Sequence, residues 1–349
     1  MHKLASQIRS QAIATVTRPD PLVDQFNRQI TYLRLSVTDR CDLRCNYCMP
    51  QRMTFLPKNE ILTVSELEQV AVGFIDRGIR KIRITGGEPL VRKGVIDLFL
   101  AIGKRLGRGL DELSLTTNGT HLAQYAEDLM KAGVRRINVS LDTLDRSVFE
   151  SLSRRDALDQ VLEGIAVAQA VGLSIKINTV ALKGVNDLDL HEIIAWAHAR
   201  GFQSTLIEMM PLGEVDYARA EHYLPLSSVF ESLGRRWNLS ASSYRSGGPA
   251  RYFDIEETGG QLGLITPLTQ NFCGDCNRIR VTATGQLYSC LGANDPIDLR
   301  AAMRGPEPHQ DLNEVLERSM KSKPLRHNFV IGAGRADVGV DRHMSVTGG

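Results

Sequence analysis

The sequence predicts an α/β protein, with a partial (β/α)6 TIM-like barrel followed by a smaller C-terminal α+β extension. Six short runs rich in Ile, Val, Leu and Thr alternate with amphipathic runs of helical period, which predicts parallel strands joined by helices. Polar clusters follow five of the six strand candidates, and in such folds the chemistry lies at the carboxyl ends of the strands. After about residue 220, short strands with glycine turns predict the extension.

The barrel strands are expected where β-branched residues cluster and a polar residue or a glycine follows. The strand candidates are residues 30–37, 79–85, 112–117, 134–141, 174–182 and 203–209. The helix candidates between them are residues 64–78, 94–106, 121–133, 158–172 and 189–201. Thr63 precedes the first helix and Glu66 follows three residues later, which is the spacing of a capping box.

The C-terminal extension is expected to contain short strands within residues 244–266 and 278–290. We therefore divide the chain into three parts. These are a lead segment (1–29), the barrel (30–220) and a C-terminal domain (221–349) that ends in a Gly-Gly tail.

Charge and hydropathy exclude several classes of partner. The chain has 349 residues, with 42 Lys and Arg against 40 Asp and Glu and a formal net charge of +2. This near-balance gives no argument for nucleic-acid binding. The sequence contains no run of about 18 apolar residues, so it predicts no membrane span. Residues 1–20 lack the apolar core of a secretion signal. We therefore expect a cytoplasmic protein that binds neither nucleic acid nor a membrane.

The six cysteines form two groups of three, and the first group directly follows a strand candidate. Cys41, Cys45 and Cys48 have the spacing C-x3-C-x2-C. Clustered cysteines in such a chain favour metal binding or redox work over disulfides. Three thiolates in one short loop would leave one iron of a cubane iron–sulfur cluster open. A structural zinc site usually takes four protein ligands, and no fourth Cys or His is nearby; a chance group of core cysteines is the other alternative.

This cysteine spacing, with the aromatic Tyr47 before the last cysteine, resembles the signature of the radical S-adenosylmethionine superfamily. Gly86-Gly87-Glu88-Pro89, at the next strand end, is similar to that superfamily's second motif. The resemblance implies a barrel of the radical S-adenosylmethionine type and a 4Fe–4S cluster on the three cysteines. It also implies that backbone groups of the second motif bind the methionine amino end of the cofactor, which glycine allows because no side chain blocks the approach.

The second group, Cys273, Cys276 and Cys290, lies in the predicted extension. Arg278 and Arg280 follow the first two cysteines and would share one face of a strand. Three thiolates beside two arginines suggest a second cluster with an open iron next to an anion site, since the guanidinium fork suits phosphate. The pattern leaves open a redox dithiol, part of a zinc ribbon, and arginines that merely face solvent.

From about residue 30 to the C-terminus, the order of motifs resembles the GTP 3',8-cyclase family, which acts first in molybdenum cofactor biosynthesis. The matching stretches are LRLSVTDRCDLRCNYCMP, IRITGGEPLVRKG, LTTNG, RRINVSLDTLD, RRDALDQVLEGI, ALKGVND, MPLGE, NFCGDCNRIRVTATGQLYSCL and the terminal Gly-Gly. Two positions depart from the family pattern, because Met209 stands where an aromatic is more frequent and Thr347 where Ile is usual.

The family resemblance implies roles for individual residues. Those implied to contact S-adenosylmethionine are Tyr47, Gly87, Ser140 and Met210. Those implied to bind GTP are Arg34, Arg83, Thr116, Lys176, Arg278 and Arg280. Those implied to take part in catalysis are Arg34, Arg278, Arg280, Gly348 and Gly349. Those implied to hold a second 4Fe–4S cluster, whose open iron binds guanine, are Cys273, Cys276 and Cys290.

Pattern alone leaves a structural alternative for several of these residues. Ser140 and Thr116 could cap turns at strand ends. Lys176 and Arg83 could face solvent, and Met210 could fill the core. The terminal glycines could belong to a disordered chain end. The resemblance, rather than the pattern, is what assigns these residues to a site.

The activity implied by the resemblance is conversion of GTP to (8S)-3',8-cyclo-7,8-dihydroguanosine 5'-triphosphate. Reduction of S-adenosylmethionine at the first cluster would give a 5'-deoxyadenosyl radical that removes the ribose 3' hydrogen. The C3' radical would then attack C8 of guanine, and one electron and one proton would complete the product. The implied partners are an electron donor, a downstream enzyme that takes the molybdopterin precursor, and a second copy in a homodimer. Two rival hypotheses are a radical enzyme that modifies peptides through an auxiliary cluster and a non-catalytic iron–sulfur electron carrier.

Overall fold

The computed structural model describes residues 20–215, 217–331 and 339–348. All six predicted barrel strands are present: β1 (Tyr32–Ser36), β2 (Lys81–Thr85), β3 (Glu112–Thr117), β4 (Arg136–Ser140), β5 (Ser174–Ala181) and β6 (Gln203–Glu208). They pair in chain order, and every pair is parallel. The prediction of a partial (β/α)6 barrel is confirmed.

Helices connect these strands as the periodicity predicts. The described helices are α1 (Val64–Asp76), α2 (Val95–Gly103), α3 (Leu122–Lys131), α4 (Arg146–Ser153), α5 (Leu158–Ala170), α6 (Leu190–His198), α7 (Arg219–His222), α8 (Leu226–Gly234), α9 (Leu299–Met303), α10 (Pro308–Ser322) and α11 (Met344–Thr347). Short 3-10 turns cover Lys58–Glu60 and Pro89–Val91. No described helix has both the length and the apolar character that a membrane span requires.

Capping residues set where two of these helices begin. The predicted capping box is present at α1, because the Thr63 side chain accepts the N–H of Glu66 and the Glu66 carboxylate accepts the N–H of Thr63. The sequence prediction missed α4, which is short and has few apolar residues. Its N-terminus is set by Asp145, whose Oδ1 accepts the N–H of Val148 at 2.9 Å.

The C-terminal extension widens the barrel sheet at both edges. Its strands are β7 (Leu239–Ala241), β8 (Arg251–Ile255), β9 (Gly260–Ile265), β10 (Arg278–Val281), β11 (Gln286–Tyr288) and β12 (Ile297–Asp298). β9 pairs in parallel with β6, and β10 pairs in parallel with β1. The result is one sheet in the order β12-β11-β10-β1-β2-β3-β4-β5-β6-β9-β8-β7. The domain limits at residues 29 and 220 stay a prediction, and the sheet is continuous across residue 220.

The alternation of side chains along the strands separates the core from the site. In β1, Leu33 and Leu35 are fully buried in the core between sheet and helices, which also contains Phe74 of α1. Arg34 alternates with these leucines and lines a cavity on the other face of the sheet. The period of two therefore directs apolar residues toward the helices and polar residues toward the barrel interior.

Candidate active site

One cavity on the inner face of the sheet collects almost all of the predicted site residues. It is lined by Arg34, Cys41, Cys45, Tyr47, Cys48, Arg83, Gly87, Thr116, Ser140, Lys176, Met210, Cys273, Cys276, Arg278, Arg280 and Cys290. Of the two predicted tail residues, Gly348 bonds to a residue of this lining, and Gly349 lies outside the described residues. Side chains from β1 to β5, the end of β6 and two C-terminal segments therefore meet at one site.

The first three cysteines lie in the loop after β1 and have free thiols. Burial raises the pKa of Cys48 to about 11 and holds the pKa of Cys45 well above its usual range. Burial also raises the pKa of Cys41, and the carboxylate of Glu88 adds to that shift. Thiolates at these positions therefore need a positive counter-charge, which the irons of a cluster supply.

The Gly-Gly-Glu-Pro motif packs against the backbone of the cysteine loop. The Gly87 N–H donates to the carbonyl of Thr38 at 2.8 Å, and the Glu88 N–H donates to the carbonyl of Arg40 at 2.8 Å. A Cβ at Gly87 would overlap the carbonyl oxygen of Arg40 and lie 2.6 Å from its carbonyl carbon. Glycine is required here because the two backbones touch. The N–H groups of Gly87 and Glu88 are thus used within the protein. An ammonium group only donates hydrogen bonds, so a ligand ammonium would bind to the carbonyl oxygens of the motif.

Glu88 is a structural carboxylate that is absent from the cavity lining. Its side chain accepts the N–H of Leu90, the hydroxyl of Thr117 and the N–H of Asn118 at 2.7–3.0 Å. Burial raises the pKa of Glu88 to about 7, although these hydrogen bonds oppose the shift. The carboxylate thus ties the turn after β2 to the end of β3, beside the cysteine loop.

The ring of Tyr47 is fixed at the cavity wall by Asp142. The Tyr47 hydroxyl donates to Asp142 Oδ2 at 2.5 Å, and Asp142 Oδ1 accepts the N–H of Val180 at 2.8 Å. Burial raises the pKa of Asp142 to about 6. The sequence showed a polar cluster at this strand end, but only the fold reveals that its aspartate orients Tyr47.

The second cysteine group lies in an electropositive environment. Cys276 Sγ is 3.7 Å from Arg278 Nη2 and 3.8 Å from Lys323 Nζ. Burial opposes ionisation of this thiol, but the two cations lower the pKa of Cys276 to about 7. Cys273 and Cys290 are also free thiols on the same cavity. The two cysteine groups therefore differ in their surroundings as well as in their place in the chain.

The donor chemistry of both groups fits iron–sulfur clusters. Each group offers three free thiols to one cavity, and cysteine thiolates are the usual ligands of such clusters. Among the described residues, no three His, Cys, Asp or Glu side chains are arranged to hold a single metal ion. A cubane on three thiolates would keep one iron open toward the cavity.

Three buried arginines stand side by side on adjacent strands. Arg34 of β1 is in register with Arg83 of β2 and with Arg280 of β10, and each is less than a tenth exposed. Burial, followed by the charge of Arg280, lowers the pKa of Arg34 well below its usual range. Burial and the charge of Arg278 lower the pKa of Arg280 to about 10. Like charges held together in this way favour an anion in the cavity.

Several polar atoms that border the cavity have no hydrogen-bond partner among the described residues. They include Nε of Arg34, Nε of Arg83 and Oγ1 of Thr116. Lys176 donates to the hydroxyl of Tyr252, and burial lowers the pKa of Lys176 to about 7. Buried polar groups in folded proteins are normally satisfied, so this arrangement suits a ligand with many acceptor oxygens.

The sequence prediction missed two asparagines that share this cavity. Oδ1 of Asn138 and Oδ1 of Asn178 lack a partner among the described residues, and both side chains line the cavity. Asn138 lies two residues before Ser140 on β4, and Asn178 lies two residues after Lys176 on β5. The period of two, applied outward from the predicted residues, would have found both.

The C-terminal helix α11 brings the tail to the arginines. The Gly348 carbonyl accepts a hydrogen bond from Arg280 Nη1 at 2.8 Å. Gly348 has a φ of +71°, and a Cβ there would overlap the hydroxyl of Thr85. Thr347, where the family usually has Ile, is 1% exposed. The expected approach of the tail to the site is present for Gly348.

Comparisons with known proteins agree along the chain. A family model described as the Radical SAM superfamily matches residues 35–197, and one described as Molybdenum Cofactor Synthesis C matches residues 202–329. The curated protein of Erythrobacter litoralis named GTP 3',8-cyclase is 61% identical over 328 residues, which is 94% of this chain and 98% of the relative. A Rhizobium etli protein of the same name is 53% identical over 329 residues, 94% of each chain.

Solved structures share the fold at low sequence identity. The structure described as native anSMEcpe with bound AdoMet covers 85% of this chain and 92% of that chain, with a TM-score of 0.52 and 14% identity. The structure of Streptococcus suis SuiB bound to precursor peptide SuiA covers 85% of this chain and 68% of that chain, with a TM-score of 0.58 and 15% identity. At these identities the similarity shows a common fold.

Proposed function

The chain belongs to the GTP 3',8-cyclase family of the radical S-adenosylmethionine superfamily, and we propose that two iron–sulfur centres in its one cavity share the reaction. The enzyme converts GTP to (8S)-3',8-cyclo-7,8-dihydroguanosine 5'-triphosphate, the first step of molybdenum cofactor biosynthesis. The observation that carries the two-centre proposal is that both groups of free cysteines and the buried arginines line one cavity.

The first centre would hold a 4Fe–4S cluster on the cysteines of the β1 loop. When bound, this cluster and S-adenosylmethionine supply the radical chemistry that begins the reaction. The residues proposed to contact S-adenosylmethionine are Tyr47, Gly87, Ser140 and Met210. Tyr47 is held rigid by Asp142, and the carbonyl groups beside Gly87 suit the methionine ammonium. These residues orient the cofactor and help to keep water from it.

The second centre would hold a 4Fe–4S cluster on Cys273, Cys276 and Cys290, with guanine on the open iron. Arg278 lies next to this centre, since its Nη2 is 3.7 Å from Cys276 Sγ, and it lies on β10 two residues before Arg280 of the arginine row. A guanine bound at the cluster would therefore extend its ribose and triphosphate toward the cations. Cations on the same cavity wall would hold the triphosphate and so help to orient the ribose for the reaction.

The triphosphate is proposed to neutralise the cationic wall of the cavity. The residues proposed to bind GTP are Arg34, Arg83, Thr116, Lys176, Arg278 and Arg280. The unpartnered Nε atoms of Arg34 and Arg83 and the hydroxyl of Thr116 would each gain an acceptor. Arg34, Arg278 and Arg280, with Gly348 against Arg280, are proposed to hold the reacting nucleotide in position.

The rival hypotheses from the sequence account for fewer of these features. A peptide substrate would not by itself neutralise a row of three buried arginines. An electron carrier would need no cavity lined by both cysteine groups. The electron donor, the downstream enzyme of molybdopterin synthesis and the homodimer stay predictions from the family resemblance.

The deciding experiment is an anaerobic incubation of iron-replete enzyme with GTP, S-adenosylmethionine and a strong reductant, read by mass spectrometry. We expect a GTP-dependent rise in 5'-deoxyadenosine together with a cyclised isomer of GTP. Formation of 5'-deoxyadenosine without any change in GTP would contradict the substrate, and formation of neither product would contradict the reaction class.

A Cys290→Ala variant separates the two centres. It should lose about four irons per chain and all cyclised product, because one ligand of the second cluster is gone. Its first cluster should still cleave S-adenosylmethionine under the same conditions. Retained cyclisation in this variant would contradict the assignment of two clusters.

A further inference from the structure

A short turn near the N-terminus packs beside the second cysteine group. Val23 and Gln29 form an antiparallel bridge, and Asp24 Oδ1 accepts the N–H of Arg28 at 3.0 Å. The turn sets Asp24 and Arg28 together as a buried ion pair with a separation of 2.6 Å. Part of the predicted lead segment is therefore folded against the C-terminal half of the chain.

Arg28 reaches from this turn to the backbone around Cys273. Its Nη1 donates to the carbonyl of Cys273 at 2.6 Å and to the carbonyl of Leu325 at 2.9 Å. Its Nη2 donates to the carbonyl of Pro324 at 2.7 Å. The side chain is buried, and one planar guanidinium joins three chain segments.

Lys323 contacts Cys276 and the backbone next to Cys276 and Cys290. Its Nζ donates to the carbonyl of Arg278 at 2.8 Å and to the carbonyl of Ser289, the residue before Cys290. The same ammonium is 3.8 Å from Cys276 Sγ. Lys323 is 1% exposed, and none of the ion pairs in the described part of the chain includes it.

We propose that Arg28 and Lys323 are positioning residues of the second iron–sulfur centre, forming a cationic clasp that holds its three cysteines and raises the reduction potential of its cluster. The clasp is defined by these two side chains. It rests on the proposed second cluster at Cys273, Cys276 and Cys290.

The physical reason is charge compensation in a buried site. A lysine ammonium buried without a carboxylate is costly, so its position needs another negative group. The Cys276 thiolate, 3.8 Å from Lys323 Nζ, and a cluster held by the three cysteines would supply that charge. In return, a nearby cation favours the reduced, more negative form of the cluster, as charge near a cluster generally sets its potential. Arg28 has its own counter-ion in Asp24, so its part is to hold the Cys273 backbone.

The test uses the full chain with Cys41, Cys45 and Cys48 each changed to Ala, so that only the second cluster can form. In this background, Arg28→Met and Lys323→Met are each compared with the parent. Cluster retention is measured as the rate of iron release to a chelator. The reduction potential is measured by a redox titration followed by electron paramagnetic resonance.

Arg77→Met is the matched control. Arg77 is as buried as Arg28 and donates to the carbonyl of Asp20 at 3.1 Å and to Asn313 Oδ1 at 3.0 Å. No hydrogen bond in the described part of the chain joins it to a cysteine loop. Its loss should lower stability and leave both cluster measurements unchanged.

We expect Arg28→Met to release iron about tenfold faster than the Arg77→Met control, since about 1.4 kcal/mol of loop positioning corresponds to that factor. Lys323→Met should shift the cluster potential to a more negative value. If Arg28→Met does not fold, Arg28→Lys keeps the charge but loses the fork, and it should still release iron faster than the control. Lys323→Gln serves in the same way for the potential.

Two results would overturn the clasp and are distinguishable. If the variants release iron at the control rate and the cluster potential is unchanged, the proposed role of Arg28 and Lys323 is wrong, but the proposal of a second cluster is unaffected. If the parent protein, with Cys41, Cys45 and Cys48 changed to Ala and with Arg28 and Lys323 unchanged, binds no iron, the proposal of a second cluster is wrong. The proposed clasp is then wrong as well.

Discussion

At the scale of single residues, the row formed by Arg34, Arg83 and Arg280 keeps three like charges together inside the protein. Each is buried and lies in register with a neighbouring arginine, and the Nε atoms of Arg34 and Arg83 have no partner in the described chain. Burying a charge without a counter-ion costs free energy, and a bound triphosphate recovers that cost. We therefore expect the arginines proposed to bind GTP to lower the stability of the ligand-free protein.

Replacing Arg34 with Met should weaken GTP binding without lowering the stability of the ligand-free protein. We expect the Kd for GTP to rise about 10- to 100-fold, because charged hydrogen bonds to phosphate are lost. The free energy of unfolding without ligand should stay equal or rise by about 1–3 kcal/mol, because an uncompensated buried charge is removed. Calorimetric titration with GTP and anaerobic urea unfolding measure the two quantities.

Arg77→Met is the control for this prediction too, because Arg77 is buried but bonded to Asn313 and Glu317. That variant should lose stability and keep its affinity for GTP. The compensation argument fails if Arg34→Met lowers the free energy of unfolding while the Kd for GTP stays the same.

Lys176 should make GTP binding depend on pH. Burial, with the charges of Arg83 and Arg136, lowers its pKa from 10.5 to about 7, so the side chain of the ligand-free protein is mostly neutral above about pH 8. A bound triphosphate favours the charged form, so binding takes up a proton. The affinity for GTP should then fall by up to about tenfold per unit as the pH rises from about 7.5 to 9.

Calorimetry of GTP binding in two buffers with different heats of ionisation measures this proton uptake. Lys176→Met should abolish this proton uptake and make the affinity for GTP independent of pH over this range.

The stability of the ligand-free protein should change with pH in the opposite direction to the GTP affinity. Between about pH 7 and 10 the unfolded chain binds one more proton at Lys176 than the folded chain, so this residue makes the free energy of unfolding rise with pH. A pH dependence that persists in Lys176→Met would refute the assignment.

At the scale of elements, the site depends on how the turns at the strand ends fit together. The turn after β2 is joined to the cysteine loop after β1 by backbone hydrogen bonds. The Glu88 side chain joins the same turn to the end of β3. Two parallel strands next to each other place their carboxyl ends together, so their loops must share one space. At Gly87 that space leaves no room for a Cβ, which would overlap the carbonyl group of Arg40.

Gly87→Ala should therefore displace the cysteine loop and impair the first cluster. Iron per chain should fall by about half, because only the second cluster would keep its ligand loop intact. Gly234→Ala is the control, since a Cβ there meets no atom within 4 Å. Iron analysis and the midpoint of thermal unfolding measure both variants, and iron at the parental level in Gly87→Ala would show that the loop tolerates the methyl group.

At the scale of the whole molecule, the barrel and the extension share one sheet. β9 continues the sheet beside β6 and β10 continues it beside β1, so each barrel edge is covered by a strand of the extension. An uncovered strand edge exposes unpaired N–H and carbonyl groups and promotes association. The two predicted domains should therefore depend on each other for stability.

A fragment of residues 1–220 tests this dependence. We expect it to be insoluble or to lack a cooperative unfolding transition, whereas the full chain should unfold anaerobically in one main transition. Co-expression with residues 221–349 is the control and should restore soluble protein if the two parts pair. A soluble 1–220 fragment with its own cooperative transition would show that the barrel folds independently.

Elements and motifs were predictable where the information lies between neighbours in the chain. Runs rich in Ile, Val, Leu and Thr that end at polar residues or glycine located β1 to β6, the helical pattern after Thr63 located α1, and the spacing of the cysteines indicated the ligand groups. The short helix α4 escaped because it spans only about two turns with three apolar residues, and its start depends on one cap, Asp145. Asn138 and Asn178 were missed although the period of two places them on the same face as Ser140 and Lys176, because neither belongs to a motif that indicates a ligand site.

Local patterns and motifs were enough to predict the α/β class, the barrel strands, the cysteine groups and, through the motifs, the family and its reaction. Strand pairing and packing were needed to show that Arg34, Arg83 and Arg280 form one row, that the extension widens the barrel sheet, and that Arg28 holds the backbone of Cys273. The reason is physical. Periodicity, capping and ligand spacing act between residues close in the chain, whereas parallel pairing joins strands that are far apart in sequence, and local patterns carry no record of which strands will meet.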